Sequence, residues 1–247
     1  MTLPLFLVEP ALLAGAQAGS PIVLDGPEGR HAAAVRRIGV GEQVMLADGV
    51  GTRVTCEVVG AGAAELVLRV VGAVHEPEPQ PRLVLVQALA KGDRDDQAIE
   101  AATELGVDEV VPWQAARSIV QWRGERGEKA RRKWESAVVA ATKQSRRARA
   151  PVVAPTVSSK ALAERVTAAA AAYVLHEDAT TTLAAQPLPA AGDVLVVVGP
   201  EGGITPEERA SFEAAGAVIV RLGSTVLRSS SAGPAALAVL SARDRWA

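Results

Sequence analysis

The feature that most constrains this chain is the hexapeptide Glu76–Pro81, EPEPQP. Three prolines alternating with polar residues cannot continue a helix and cannot donate to the middle of a sheet, so the stretch is a stiff divider. The chain follows a different pattern on each side of it. Before it, short runs with strand character stand at Leu5–Val8, Ile22–Leu24, Gln43–Ala47, Arg53–Val59 and Glu65–Val71. Asp48-Gly49 separates two of them as a hairpin signal, because glycine accepts the positive φ of a tight turn. One short helix fits around Gly29–Ile38. Residues 1–75 therefore read as a small β-rich domain, a partly closed barrel, with 76–81 as linker.

From 82 to 247 the apolar runs are continuous instead of alternating: Leu83–Leu89, Val107–Pro112, Ala172–Leu175, Val194–Val198 and Ala217–Leu222. Such runs suit strands buried on both faces. Helical patterns intervene at Arg94–Leu105, Glu128–Arg147, Lys160–Ala171 and Pro206–Ala215, with a last helix at Ala235–Arg243. Strand alternating with helix predicts an α/β domain on a parallel sheet.

At 247 residues and 49% apolar content the chain can bury two cores. No apolar run approaches the roughly 18 residues of a membrane span. The start, MTLPLFLVEP, has no Lys or Arg ahead of a long apolar core, unlike a signal peptide. A single cysteine, Cys56, excludes an internal disulfide framework and a Cys-rich zinc site. His31, His75 and His176 are too scattered to suggest a metal site. The expectation is a cytoplasmic protein with neither metal nor membrane partner. The net charge of −2 hides a segregation: Arg123–Arg149 carries ten basic and three acidic residues, an excess of +7 that leaves −9 elsewhere. A polyanion would bind such a segment, although a solvated helix face carries charge runs too.

The strongest local motif is Val194–Glu208, VLVVVGPEGGITPEE. A buried strand runs into a glycine-rich turn and then a helix with Thr205 as cap, Pro206 at the first position and Glu208 completing a capping box. Ligands of open α/β sheets bind at such strand ends. The turn is not a P-loop, and Glu201 would repel phosphate, so it suits hydroxyl or amine donors. A second polar loop, Leu222–Pro234, follows another buried strand and contains Arg228; His176-Glu177-Asp178 ends a third. Three such loops together make a pocket.

These stretches, in this order, resemble the RsmE family of SPOUT-class RNA methyltransferases, which act on N3 of a uridine in 16S ribosomal RNA. The matching segments are H-x-x-x-V-R-R at His31–Arg37, ATELGVDEVVPW at Ala102–Trp113, Arg117-Ser118, RRKWESAVVAATKQSRR at Arg131–Arg147, GPEGG at Gly199–Gly203 and RLGSTVLR at Arg221–Arg228. The resemblance implies an N-terminal PUA-like barrel and a C-terminal α/β domain closed by a deep trefoil knot. It also implies a homodimer that binds S-adenosylmethionine and the small ribosomal subunit. The cofactor would be held by Leu175, His176, Glu177, Gly199, Pro200, Glu201, Gly202, Gly203, Leu222, Gly223, Val226, Leu227 and Arg228. RNA would meet His31, Arg36, Arg37, Arg117, Lys143, Gln144, Arg146, Arg147 and Arg149, with Gln144 and Arg147 nearest the target nucleotide. Arg228 is the candidate for stabilising charge on the base; the sequence identifies no general base, and Glu201, the one candidate for it, suits a cofactor-binding role better. Two departures stand out. Ser230 occupies a position where relatives often carry glutamate, and Leu5-Phe6 lacks a preceding arginine common among them. The competing readings are a non-catalytic RNA-binding or ribosome-assembly protein, and the same chemistry on another RNA.

Overall fold

The computed structural model describes residues 2–92 and 94–246, so positions 1 and 247, the outer limits of the two segments, lie outside the described residues. Two compact units result, Met1–Glu78 with Thr142–Ala150, and Pro79–Ala141 with Pro151–Ala247.

The first unit comprises β1 (Leu5–Leu7), α1 (Pro10–Leu13), β2 (Pro21–Leu24), α2 (Gly26–Arg30), β3 (Gln43–Ala47), β4 (Thr52–Ala61) and β5 (Leu66–His75). Its sheet runs β1-β3-β4-β5-β2, with β1 parallel to β3 and every other pair antiparallel. Alternate residues of β4 and β5 face one core, where Val54, Cys56, Val58, Leu66 and Leu68 meet Phe6, Leu24 and Leu46. Burial pushes the Cys56 thiol up to about 11, so it is an inert packing group. The helix expected over Gly29–Ile38 is divided: α2 passes into a π-helical turn at His31–Val35, and Arg37 then takes φ 55°. A Cβ on Gly29 would lie 2.4 Å from the Leu24 carbonyl oxygen, so glycine alone permits that approach.

Thr142–Ala150, which the sequence pattern groups with the second domain, clusters with this barrel because its polar groups are engaged there. Lys143 Nζ donates to both oxygens of Glu28 (2.7 and 2.9 Å) and lies 5.8 Å over the Phe6 ring. Arg53 donates to the Arg146 carbonyl, and Arg149 to the carbonyls of Glu76 and Pro77.

The second unit contains β6 (Arg82–Ala88), α3 (Arg94–Glu104), β7 (Glu109–Gln114), most of α4 (Gly124–Ser145), β8 (Val152–Val153), β9 (Val157–Ser158), α5 (Ser159–Ala168), β10 (Ala171–Leu175), β11 (Asp193–Val198), α6 (Pro206–Ala214), β12 (Val218–Val220) and α7 (Ser229–Ser241). The sheet is wholly parallel, in the order β12-β10-β11-β6-β7-β8, with β9 also on β7. Along β6, Leu83 and Leu85 enter one apolar cluster while Val84 and Val86 enter the other. Both faces are buried, which is why these strands read as continuous apolar runs.

Three of these helices differ from expectation: α4 runs Gly124–Ser145 and not Glu128–Arg147, α5 ends at Ala168 and not at Ala171, and the last starts early. The last begins at Ser229 and not at Ala235, with Pro234 inside it. An interior proline removes one helical bond and costs about 3 kcal/mol. The buried side chains of Ala236, Leu237 and Leu240 outweigh this, at roughly 1.5–3 kcal/mol for each large apolar group.

Asp95, in the first turn of α3, is 6% exposed, and burial followed by the adjacent Asp96 charge pushes its carboxyl up to about 6. Its folded value thus exceeds that of an unfolded aspartate, about 3.9. The favourable contribution is complete below pH 4 and is lost as pH rises through 6. Asp95→Asn should therefore stabilise the protein at pH 7 by about 1–2 kcal/mol and flatten the stability profile between pH 4 and 6. Thermal melts across that range check the sign; a lower Tm at pH 7 contradicts it.

Candidate functional site

Because all strands of the second unit are parallel, their carboxyl ends share one edge, and three following loops enclose a cleft of about 620 Å³ there. Every residue named above for the cofactor lines it, from Leu175, His176 and Glu177 through Gly199–Gly203 to Leu222, Gly223 and Val226–Arg228. Arg94, Arg117, Asp178 and Ser229 line it as well.

The turn after β11 is built on close contacts within the protein. A Cβ on Gly199 would stand 2.7 Å from Ile204 Cγ1, and Gly203 has φ +75°. Gly202 is outside the left-handed region; its hydrogen faces Arg117, whose Cβ would be 3.1 Å from an added Cβ. Arg117 donates to the Gly202 carbonyl at 3.0 Å. The tight fit at 202 thus arises chiefly from the Arg117 side chain, a relation sequence spacing does not reveal.

Glu201 is paired with Arg94 at 2.7 Å. Burial alone would raise its carboxyl, but its own N–H, the Arg94 guanidinium and the Lys91 N–H together hold it below the ordinary glutamate range. An ionised, paired carboxylate is a weak proton acceptor, so Glu201 is an anchor for the turn and a poor general base. Arg94 was missed by sequence reasoning, although it follows β6 as the other loops follow their strands. His176 Nδ1 accepts the Asp178 N–H at 3.2 Å, so the neutral ring carries its proton on Nε2.

Arg228 is exposed on the cleft as the N-cap residue of α7, without a capping side-chain bond. The positive end of that helix dipole lies at the same place. Behind it, the Ser229 hydroxyl is buried and has no hydrogen-bond partner among the described residues, which a bound ligand can supply.

The residues assigned to RNA divide between the units. Arg117 belongs to the cleft, whereas His31, Arg36, Arg37, Lys143, Gln144, Arg146, Arg147 and Arg149 belong to the barrel unit. Arg36, Arg37 and Gln144 are exposed. His31 packs edge-on against Phe6 at 6.0 Å, and Lys143 and Arg149 are committed to Glu28 and to backbone carbonyls. Arg146 takes φ 58°.

Gly202→Val should destabilise the protein by about 1–3 kcal/mol through overpacking on Arg117. Combining it with Arg117→Gly removes the closest contact and should recover part of the loss. No recovery in thermal melts would mean that Arg117 is not what the glycine accommodates.

Comparison with known proteins agrees with this geometry. A model described as an RNA methyltransferase domain matches residues 76–241, and one described as an RNA methyltransferase PUA domain matches residues 24–71. The chain is 47% identical over 233 residues to ribosomal RNA small subunit methyltransferase E of Mycobacterium bovis, covering 92% of this chain and 89% of that protein. The Bacillus subtilis protein of the same name is 28% identical, covering 88% of each. The crystal structure of the Neisseria gonorrhoeae enzyme bound to S-adenosyl methionine superposes with a TM-score of 0.84 at 25% identity, over 98% of each chain. A Legionella pneumophila methyltransferase in complex with the same cofactor gives 0.82 at 26% identity, over 97% of this chain and 96% of that one. The fold is accordingly a SPOUT-class α/β domain with a PUA-like barrel. Matched along nearly its whole length and in both domains, the chain belongs to the RNA methyltransferases of the ribosomal RNA small subunit methyltransferase E family.

Proposed function

We propose that this chain methylates N3 of a uridine in 16S ribosomal RNA, using S-adenosylmethionine, as a cytoplasmic homodimer acting on the assembled small subunit. The observation that carries this reading is the convergence of the three loops, Arg117 and Arg228 on one cleft. The exposed apolar side chains of Ile119, Val226 and Leu227, two of them on the cleft loop 222–228, support a second copy as their cover. Among the described residues no helix is long and apolar enough to cross a membrane, and no cluster of His, Cys, Asp and Glu is placed to hold a metal.

The cleft suits the cofactor. Leu175, Val198, Leu222 and Val226 offer apolar walls, Glu177 and Asp178 offer carboxylates for an ammonium group, and Ser229 offers an unpaired hydroxyl. When bound, S-adenosylmethionine supplies a methyl group on a sulfonium. Uridine N3 holds an imide proton and has no in-plane lone pair until that proton leaves, so the protein must favour the anion. Arg228 and the N-terminus of α7 place positive charge at the cleft for that purpose. Ser230 is no base, and Glu201 is engaged with Arg94, so proton loss to water under this positive field is the step the residues support.

Small subunits lacking the modification, incubated with enzyme, S-adenosylmethionine and excess chelator, should gain one methyl group mapping to N3 of one uridine. An unmodified product, or activity only with added metal, overturns the reading. Arg228→Ala should lower kcat by roughly 10²-fold, in the range of other lost charge-stabilising donors. Cofactor affinity should change much less; equal losses would place Arg228 on the cofactor.

The basic segment is sorted by what the structure already engages. Arg131 pairs with Glu128 and Glu135, Lys133 with Asp96, Lys143 with Glu28, and Arg149 with carbonyls. The side chains of Arg126, Lys129 and Arg132 are exposed on α4 and enter no ion pair or hydrogen bond among the described residues. If they meet the RNA backbone, replacing all three with alanine should flatten the log–log salt dependence of RNA binding by about two units, at about 0.7–0.9 per phosphate. An unchanged slope would make this a solvated face.

A further inference from the structure

We infer that Glu208 is a positioning residue for Arg117, acting across the glycine turn beyond its part in the capping box. The inference rests on the proposed role of Arg117 toward RNA. Glu208 lies in the first turn of α6 and is 6% exposed. One carboxylate oxygen accepts the Thr205 N–H at 3.1 Å, while Thr205 Oγ1 accepts the Glu208 N–H at 3.2 Å. That reciprocal pair is all a capping box requires. The other oxygen is engaged elsewhere: it accepts the Ala116 N–H at 2.8 Å and the Ser159 hydroxyl at 2.6 Å. Ser159 in turn accepts the indole N–H of the fully buried Trp113 at 3.1 Å.

A single buried carboxylate thus joins the start of α6, the start of α5 and the turn after β7. Ala116 directly precedes Arg117, and Arg117 packs on Gly202 and donates to its carbonyl. The Glu208 side chain therefore ties the chain bearing Arg117 to the far end of the turn that Arg117 covers. Both ends of that cover are set from one group, so Arg117 is held at the cleft and cannot swing away with its exposed turn. A carboxylate is needed for this, because it offers two acceptor atoms where a carboxamide has one. In Glu208→Gln the amide nitrogen must face either the Thr205 N–H or the Ala116 N–H and Ser159 pair.

The test is a double-mutant cycle on RNA affinity, with filter binding of unmodified 16S ribosomal RNA as readout and cofactor affinity measured alongside by calorimetry. Arg117→Ala should weaken RNA binding about tenfold, and Glu208→Gln should weaken it severalfold. The double variant should be no weaker than Arg117→Ala alone, since Glu208 acts only through that arginine. Thr205→Ala weakens the same cap but leaves the Ala116 bond, so it should lower Tm and leave RNA affinity unchanged. Additive losses in the double variant, or an equal RNA defect in Thr205→Ala, overturn the inference. An Arg117→Ala protein with full RNA affinity refutes the role of Arg117 itself, a separate result. If Glu208→Gln does not fold, Ser159→Ala removes one donor from the same oxygen; it should give a smaller RNA defect, again absent in the Arg117→Ala background.

Discussion

The cleft depends on how closely α7 approaches the sheet. A Cβ on Gly233 would lie 2.7 Å from Leu85 Cδ1 and 3.4 Å from Val198 Cγ2, so glycine lets the helix settle onto the middle of β6 and the end of β11. One turn earlier on the same helix face is Ser229, and beside it Arg228 caps the helix. The distance between helix and sheet therefore sets how near the loop 222–228 comes to the glycine turn 199–203. Pro234 sits in the helix beside that contact, buried as well. Its lost hydrogen bond is tolerable because the position is determined by packing, and local propensity has little say.

Two tethers then arrange the rim. Arg94 holds Glu201 from the β6 side, and Glu208 holds the Arg117 turn from the β7 side. The first pair is partly exposed, with side chains 44% and 29% accessible, and such pairs contribute at most about 1 kcal/mol. Its consequence is electrostatic: it helps hold the Glu201 carboxyl below the ordinary glutamate range and engaged with Arg94. The second tether is buried and shared among several donors, where breaking a bond leaves polar groups stranded. The rim thus combines a partly exposed tether with a buried one.

The elements were legible in sequence where one physical rule dominated. Continuous apolar runs marked β6, β10 and β11, because strands covered on both faces have no polar side to show. The glycine turn and capping box marked the cleft. What was illegible depended on contacts between distant residues. Nothing near Gly202 in sequence says that Arg117 packs on it, and nothing near Glu208 says that its second oxygen serves Ala116. The divided helix at His31–Val35 and the early start of α7 are likewise outcomes of packing around Gly29 and Gly233. The short strands β8 and β9 carry too few residues to display a period.

Charge provides the sharpest contrast between sequence and structure. Between Arg123 and Arg149 the sequence shows one basic block, but the fold divides it by function. At its end, two cations are engaged within the barrel unit: Lys143 on Glu28 and Arg149 on two carbonyls. Its beginning, Arg126 to Arg132, lies on an exposed helix face with Trp134 and Val138 buried on the opposite side. A cation already desolvated against a protein partner has little left to offer a phosphate, because binding would first have to break that pair. Net charge along a segment therefore overstates its capacity for nucleic acid. The relevant count is of cations still in water, and on α4 those fall at the amino-terminal half.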